Sequence, residues 1–172
     1  MRVIGGAFRS RRLKSIPGAA TRPTPDRLRE TLFDILAPRI EGAKFIDGYA
    51  GTGAVGMEAL SRGAGHAWFL ERNSAALDVI RENLAALGLE SRATVLTGPA
   101  MLTIARLQAD IVFLDPPYTL EREYESILQM LAELSFPLAI VQHSSFFALP
   151  ENGLRRTRVV KQGDNTLSFF ES

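Results

Sequence analysis

Asp115-Pro116-Pro117-Tyr118 closes the apolar run Ile111-Val112-Phe113-Leu114, so a buried strand empties straight into a rigid corner holding a carboxylate, two prolines and a phenol. Proline fixes φ at about −65° and has no N–H, which leaves the carbonyls of Asp115 and Pro116 facing outward as free acceptors. Acceptors of this kind beside an aromatic ring suit a flat base with an exocyclic NH2. An ordinary Pro-Pro turn after a strand would use the same residues. A second motif is needed to decide.

That motif is Asp47-Gly48-Tyr49-Ala50-Gly51-Thr52-Gly53-Ala54-Val55-Gly56, between the short strand Lys44-Phe45-Ile46 and the helical pattern Met57-Glu58-Ala59-Leu60. Glycines let a backbone turn tightly and approach a ligand, and a helix start offers N–H groups to polar or anionic atoms. Gly51-x-Gly53-x-x-Gly56 also fits a dinucleotide fingerprint, with Glu71 about 20 residues on for a ribose hydroxyl. Asp47 separates the two readings, since an acid there repels a pyrophosphate but suits an ammonium group. Hydride transfer, moreover, has no use for an amine-orienting Asp-Pro-Pro-Tyr corner.

The elements that position these residues alternate along the chain. Arg2 to Phe8 and Arg12 to Ile16 read as a hairpin ended by Pro17-Gly18. Thr24 is expected to cap a helix that has Pro25 at its first position and runs to about Ala37, with Pro38 ending it. Strands are expected at 44–47, 67–71, 94–96, 110–114 and 138–142. Helices are expected at 53–62, 74–87 with Gly88 closing, 100–107 and 121–134. A closing antiparallel pair, 154–161 with 166–170, turns at Gly163-Asp164-Asn165. Such alternation implies one domain, 1–172, built on a parallel sheet, with 1–23 as an N-terminal arm. Asp47, Glu71 and Asp115 then all end strands, where open α/β sheets bind ligands. A strand-end carboxylate beside a buried sheet needs a partner, and a ligand with an ammonium, ribose hydroxyls and a base supplies three.

Charge and composition narrow the partners. Of the 172 residues 46% are hydrophobic, enough for a real core. No cysteine is present, which excludes disulfides, thiol catalysis and cysteine-based zinc sites. His66 and His143 lack neighbouring ligands in sequence, so no metal is expected and both read as solvated or capping. Trp68 reads as core. No stretch approaches the roughly 18 apolar residues of a membrane span, and a cytoplasmic location is expected. The net charge of +1 hides an asymmetry: residues 1–29 carry eight bases and one acid. Arg2, Arg9, Arg11, Arg12, Lys14 and Arg22 thus form a basic arm suited to phosphate contacts, with Arg155, Arg156, Arg158 and Lys161 a second small cluster.

Together the acidic glycine loop and the Asp-Pro-Pro-Tyr corner resemble the S-adenosylmethionine-dependent amino-methyltransferases. Arg2-Val3-Ile4-Gly5-Gly6, Arg22-Pro23-Thr24-Pro25-Asp26-Arg27-Leu28-Arg29-Glu30-Thr31-Leu32-Phe33 and Ala59-Leu60-Ser61-Arg62-Gly63-Ala64 sharpen this to the ribosomal small-subunit methyltransferase D family. The resemblance runs from Arg2 to about Tyr118. It implies a Rossmann-like class I methyltransferase fold, a mostly parallel seven-stranded sheet with an antiparallel last strand, and methylation of N2 of guanine 966 in 16S ribosomal RNA. It further implies that Asp47, Gly51, Gly53, Glu71, Arg72, Ala100 and Asp115 hold S-adenosylmethionine. Asp115, Pro116, Pro117 and Tyr118 would orient the amine, Tyr118 by stacking on the base. The acceptor would be 16S ribosomal RNA, the small subunit or an assembly intermediate, met by a monomer. Three places depart from the family's pattern: Gly48-Tyr49 for an apolar pair, Gly98-Pro99 for a polar adenine contact, which passes to the Ala100 N–H, and Gln142-His143 for a glutamate. DNA adenine or a protein glutamine would also fit the corner, and a non-catalytic RNA-binding module would keep the same fold.

Overall fold

Short strands with apolar residues on both faces make a sheet that must be covered on both sides. The structure, a computed structural model, describes residues 1–18 and 23–172. Its elements are α1 (Asp26–Ile40), β1 (Lys44–Asp47), α2 (Ala54–Ser61), β2 (His66–Glu71), α3 (Ser74–Leu87), β3 (Ala93–Thr97), α4 (Ala100–Ile104), β4 (Ile111–Leu114), α5 (Glu121–Leu134), β5 (Leu138–Ser144), β6 (Arg155–Gln162) and β7 (Asn165–Glu171). The strands form one sheet in the order β3-β2-β1-β4-β5-β7-β6. β1 to β5 pair in parallel, while β7 runs antiparallel to both neighbours, as expected.

Strand alternation divides the core in two. Phe45, Phe69, Phe113, Ile140 and Phe169 point to one face, under α1, α2 and α3. Ile46, Leu70, Val112, Leu114 and Val141 point to the other, under α4 and α5. This is the two-residue period of a pleated strand. The order of winding reverses between β1 and β4, which puts a topological switch point between Asp47 and Asp115.

Local chemistry sets the element ends. α3 begins where the Asn73 side chain accepts from the Ala76 N–H at 3.0 Å, and it ends at Gly88 with φ +67°. α1 departs from expectation at both ends. Thr24 gives its hydroxyl to Gln142 Oε1 at 3.3 Å instead of capping, so Pro25 occupies the cap. Pro38 does not stop the helix, which continues to the buried Ile40. A proline removes one ladder bond, and so close to the end the burial of Ile40 outweighs that loss.

The N-terminal arm folds back on itself, but by a single antiparallel bridge, Arg2 to Arg12, around a 3-10 turn at Gly6–Phe8. Full hairpin strands do not form because the arm's polar groups turn to the domain instead. Glu58 on α2, wholly buried, accepts from the N–H groups of Ile4 and Gly5 at 2.8 Å each and from Arg62 Nε at 2.9 Å. Arg29 on α1, also wholly buried, lies 3.7 Å from Glu58 and donates to the Arg2 carbonyl at 2.5 Å. Asn83 on α3 clips the arm again, accepting from the Lys14 N–H at 2.7 Å and donating to the Lys14 carbonyl at 3.1 Å. Val3 and Leu13 are buried between these clips.

Glu58→Gln removes the wholly buried carboxylate beside the Arg29 guanidinium, which keeps only the half-exposed Asp26 at 3.2 Å, and is expected to cost up to about 3–5 kcal/mol, the usual result of breaking one side of a buried pair. The exposed Arg2, 3.6 Å from Asp26, contributes under about 1 kcal/mol. Urea midpoints of Glu58→Gln and Arg2→Ala measure the difference, and equal midpoints would contradict the clip.

Candidate active site

The carboxyl ends of β2, β1 and β4 are neighbours, so Glu71, Asp47 and Asp115 stand side by side in sheet order along one rim. Asp47 is 1% exposed and its Oδ2 accepts from the Gly56 N–H at 2.9 Å. Glu71 Oε2 accepts from the Gly51 N–H at 2.8 Å, and its Oε1 accepts from the N–H groups of Arg72 at 2.8 Å and Asn73 at 2.9 Å. The two acids therefore brace the glycine loop from either side. Two glycines explain its tightness. Gly53 has φ +82°, and a Cβ on Gly56 would stand 2.3 Å from the Phe69 ring, so only glycine lets α2 lie this close to β2.

Burial, opposed in part by the Gly56 N–H bond and helped by the nearby Glu71 charge, pushes the Asp47 carboxyl up to about 7. Burial and then the Asp47 charge push Asp115 up to about 8, with the Thr24 hydroxyl pulling it down in part. A rim of mutually repelling, desolvated acids is a receptor for positive charge.

Beyond Asp115 the corner is built as an ordered network. Pro116 is buried and Pro117 exposed. The Tyr118 ring is half-buried and its hydroxyl donates to Asn165 Oδ1 at 2.7 Å while accepting from Gln142 Nε2 at 3.1 Å. Gln142, 3% exposed, in turn accepts from Thr24. The wholly buried Tyr124 donates weakly to the carbonyls of Pro116 and Gln142, at 3.4 Å each. Tyr49, in the place of an apolar residue, donates to Glu123 Oε1 at 2.5 Å and so ties the glycine loop to the first turn of α5.

Gln142, Asn165, Tyr124 and Thr24 were not read as parts of the corner from sequence, although a polar Gln142 ending the apolar run Leu138–Val141 was the available signal. His143 is corrected: it is not solvated but 4% exposed, with Nε2 2.9 Å from Ser168 Oγ and Nδ1 3.0 Å from the Ser144 carbonyl, and burial lowers its pKa below the ordinary imidazole value. His66 bonds Thr94 Oγ1 at 2.9 Å. Trp68 is only partly buried, packed on the α4–α5 side of the core. No cluster of metal-ligating side chains is present among the described residues, and no described helix is long and apolar enough to cross a membrane.

Ala100 opens α4 at the β3 end of the same rim, and Arg72 is exposed beside Glu71. The arm's described bases are all on the surface. Arg2 approaches Asp26, Arg11 donates to the Ala86 carbonyl at 3.0 Å, and Lys14 pairs with Glu82 at 2.7 Å. Arg9 and Arg12 are exposed and pair with no acid among the described residues. Arg22 lies outside the described residues. A shallow recess of about 340 Å³ between Lys44, Asp110 and Pro137 lies at the opposite, amino-terminal edge of the sheet, away from every one of these groups.

Residues 1–171 match the family described as "Conserved hypothetical protein 95". Over 162 residues, 88% of this chain and 86% of the relative, the sequence is 36% identical to "Putative rRNA methyltransferase YlbH" of Bacillus subtilis (strain 168). It is 43% identical over 120 residues to "Ribosomal RNA small subunit methyltransferase D" of Escherichia coli (strain K12), a match spanning 69% of this chain and 60% of that protein. Among solved structures, "Putative methyltransferase yhhF from Escherichia coli" superposes with a TM-score of 0.85 at 33% identity, covering 99% of this chain and 97% of the other.

The raised carboxyls give a signed prediction. From about pH 4 to pH 8 the folded, ligand-free chain holds protons on Asp47 and Asp115 that the unfolded chain releases near the ordinary 3.8, so stability falls as pH rises through that window. Asp115→Asn removes one such group and is expected to raise the melting temperature more above pH 8 than near pH 5. At this chain length about 1 kcal/mol corresponds to about 2–4 °C. An equal effect at both pH values would count against the burial of this charge.

Proposed function

The chain belongs to the family described as Conserved hypothetical protein 95, that of the ribosomal RNA small subunit methyltransferase D proteins, and from this premise we propose that it methylates the exocyclic N2 of guanine 966 in 16S ribosomal RNA with S-adenosylmethionine. Family membership makes it an rRNA methyltransferase; the nucleotide, the atom and the cofactor are the proposal. The observation that carries it is the row of strand-end acids, with Asp47 and Asp115 raised to about 7 and 8. Such a row favours a ligand bearing ammonium and sulfonium charges and disfavours the pyrophosphate that the glycine spacing alone would also admit.

The residues fit that cofactor. Asp47 would meet the methionine ammonium. Glu71, with three N–H donors already on its carboxylate, keeps lone-pair capacity for a ribose hydroxyl. Gly51 and Gly53 bring the backbone close, Ala100 would take the adenine, and Arg72 would flank the site. When bound, the cofactor supplies a methyl group on a cationic sulfur.

The protein's part is chiefly to position the acceptor. Asp115 and the Pro116 carbonyl would accept the two N–H groups of the guanine amine, holding its lone pair out of conjugation and aimed at the methyl carbon. Pro117 fixes the corner and Tyr118 lies on the base face, its ring angle set by Gln142 and Asn165. Near-attack alignment contributes up to roughly 7–11 kcal/mol in ideal cases. Methylation of N2 would release one proton from that nitrogen, and an ionised Asp115, already accepting its N–H, would take it. The transfer is one displacement, with no covalent enzyme intermediate. A base inside a helix cannot reach this corner, so the guanine is unpaired or flipped out. The surface bases Arg2, Arg9, Arg11, Arg12 and Lys14, with Arg22, would hold RNA phosphates, which makes residues 1–23 an RNA-binding arm on a single catalytic domain.

Small subunits lacking the modification, incubated with methyl-labelled S-adenosylmethionine and digested to nucleosides, are expected to yield labelled N2-methylguanosine. Asp115→Asn is expected to lower kcat roughly 100- to 10,000-fold. Because the ionised carboxylate is the active form, kcat/KM is expected to rise with pH and level off above about 8, the value set by burial in the free protein. Label in adenine or in protein, or full activity of the asparagine variant, would overturn the assignment.

A further inference from the structure

Among the described residues the large apolar side chains most open to solvent are Phe146, Leu102, Val159 and Leu120. Single exposed apolar residues are ordinary. Three of these four, however, follow the carboxyl ends of parallel strands: Leu102 after β3, Leu120 after β4 and Phe146 after β5. They stand on the same rim as Asp115 and Tyr118. Phe146 is the extreme case, at 85% exposure.

The turn that carries Phe146 is firmly built. The Phe146 N–H donates to Ser144 Oγ at 3.2 Å and the Phe147 N–H to the Ser144 carbonyl at 3.1 Å. The Ser145 N–H donates to the Asp164 carbonyl at 2.9 Å, and the Ser145 and Thr166 hydroxyls are 2.8 Å apart. Phe147, next in sequence, turns inward and packs on Tyr124 with ring centroids 5.1 Å apart and on His143 at 6.4 Å. One phenylalanine of the pair anchors the turn. The other is thereby directed outward from a fixed backbone, its π-face open to water.

Hydrogen bonding also links this turn to the corner. Ser144 pairs in register with Asn165, and Asn165 Oδ1 is the acceptor of the Tyr118 hydroxyl. Phe146 is thus fixed relative to Tyr118 through two short connections. A fixed aromatic on the rim of a site for an unpaired base is the arrangement that binds a further base by stacking, since every nucleobase has a π-face and ring rigidity limits the entropy lost.

We propose that Phe146 is a second stacking platform, which takes the base of an unpaired nucleotide flanking the target guanine. The inference rests on the RNA-methylating function above and adds a subsite to it. Tyr118 would grip the reacting base and Phe146 its neighbour in the strand, which favours acceptors presented in a loop over bases in continuous helix.

Binding of a guanine-containing single-stranded oligoribonucleotide tests this without requiring turnover. Phe146→Trp is expected to bind as the wild type does and to show quenched fluorescence on titration. Phe146→Ala and Phe146→Leu are both expected to weaken binding about 5- to 150-fold, because leucine is apolar but cannot stack. Val159→Ala, a change at another exposed apolar residue, on β6, is expected to leave RNA affinity unchanged. S-adenosylmethionine affinity and melting temperature are expected to stay at wild-type values in every variant, since the ring buries nothing in the fold. If the leucine variant retains wild-type affinity, stacking is excluded. If the alanine variant retains it while the wild type methylates RNA, the subsite alone is wrong; if wild-type protein binds no RNA, the function above falls with it. Loss of self-association in Phe146→Ala, with RNA binding intact, would assign the ring to a second copy of the chain.

Discussion

Burial of Asp47 at the mouth of β1 raises the free energy of its charged form, and the Gly56 N–H bond offsets that cost only in part. Much of the rim follows from this. The bond to Gly56 folds the loop back over the strand end, and Glu71 fixes the other side of the loop through Gly51. With two acids committed there, Asp115 on the adjacent β4 cannot ionise cheaply either. The protein holds negative charge in reserve at its switch point, to be released when a cation arrives. A site assembled in this way selects its ligand by charge before it does so by shape.

The second fixed point is the pair Glu58 and Arg29. Together they bind the arm to α1 and α2 by backbone groups at Ile4, Gly5 and Arg2, which leaves its basic side chains on the surface. Asn83 extends the grip to Lys14 and lies 3.5 Å from the Thr52 carbonyl in the glycine loop. The basic surface is thus mounted beside the glycine loop by the same α2 and α3 that cover β1 and β2.

Elements whose ends carry their own chemistry were legible in the sequence. α3 lies between Asn73 and Gly88 as read, α5 begins and ends as read, and β4 delivers Asp115 to the corner. The antiparallel pairing of β6 and β7 followed from the Gly163-Asp164-Asn165 turn between two expected strands. What stayed hidden depends on tertiary partners. Nothing local marks Arg29 as buried within a basic block; Asp26, one turn away, pairs with it, and the buried Glu58 on a distant helix completes its surroundings. Thr24 has the right type and place for a cap, yet it turns to Gln142 across the domain. The hairpin was read from alternation; some of its backbone groups do bond one another, Val3 N–H to the Arg11 carbonyl and Leu13 N–H to the Met1 carbonyl, but others found Glu58, Ser61 and Asn83. The three acids were identified by position at strand ends; that Asp47 and Glu71 also brace the glycine loop depends on contacts no sequence spacing reveals.

The central claim is that the acid rim is built for a cationic cofactor and carries protons in its absence. Calorimetric titration of S-adenosylmethionine near pH 7.5, repeated in buffers of different ionisation enthalpy, counts protons exchanged on binding. Because Asp47 and Asp115 are raised to about 7 and 8, binding is expected to release on the order of one proton into the buffer. Tight binding with no proton exchange would mean that these carboxyls do not meet the cofactor's charge, and the account of the site would fail.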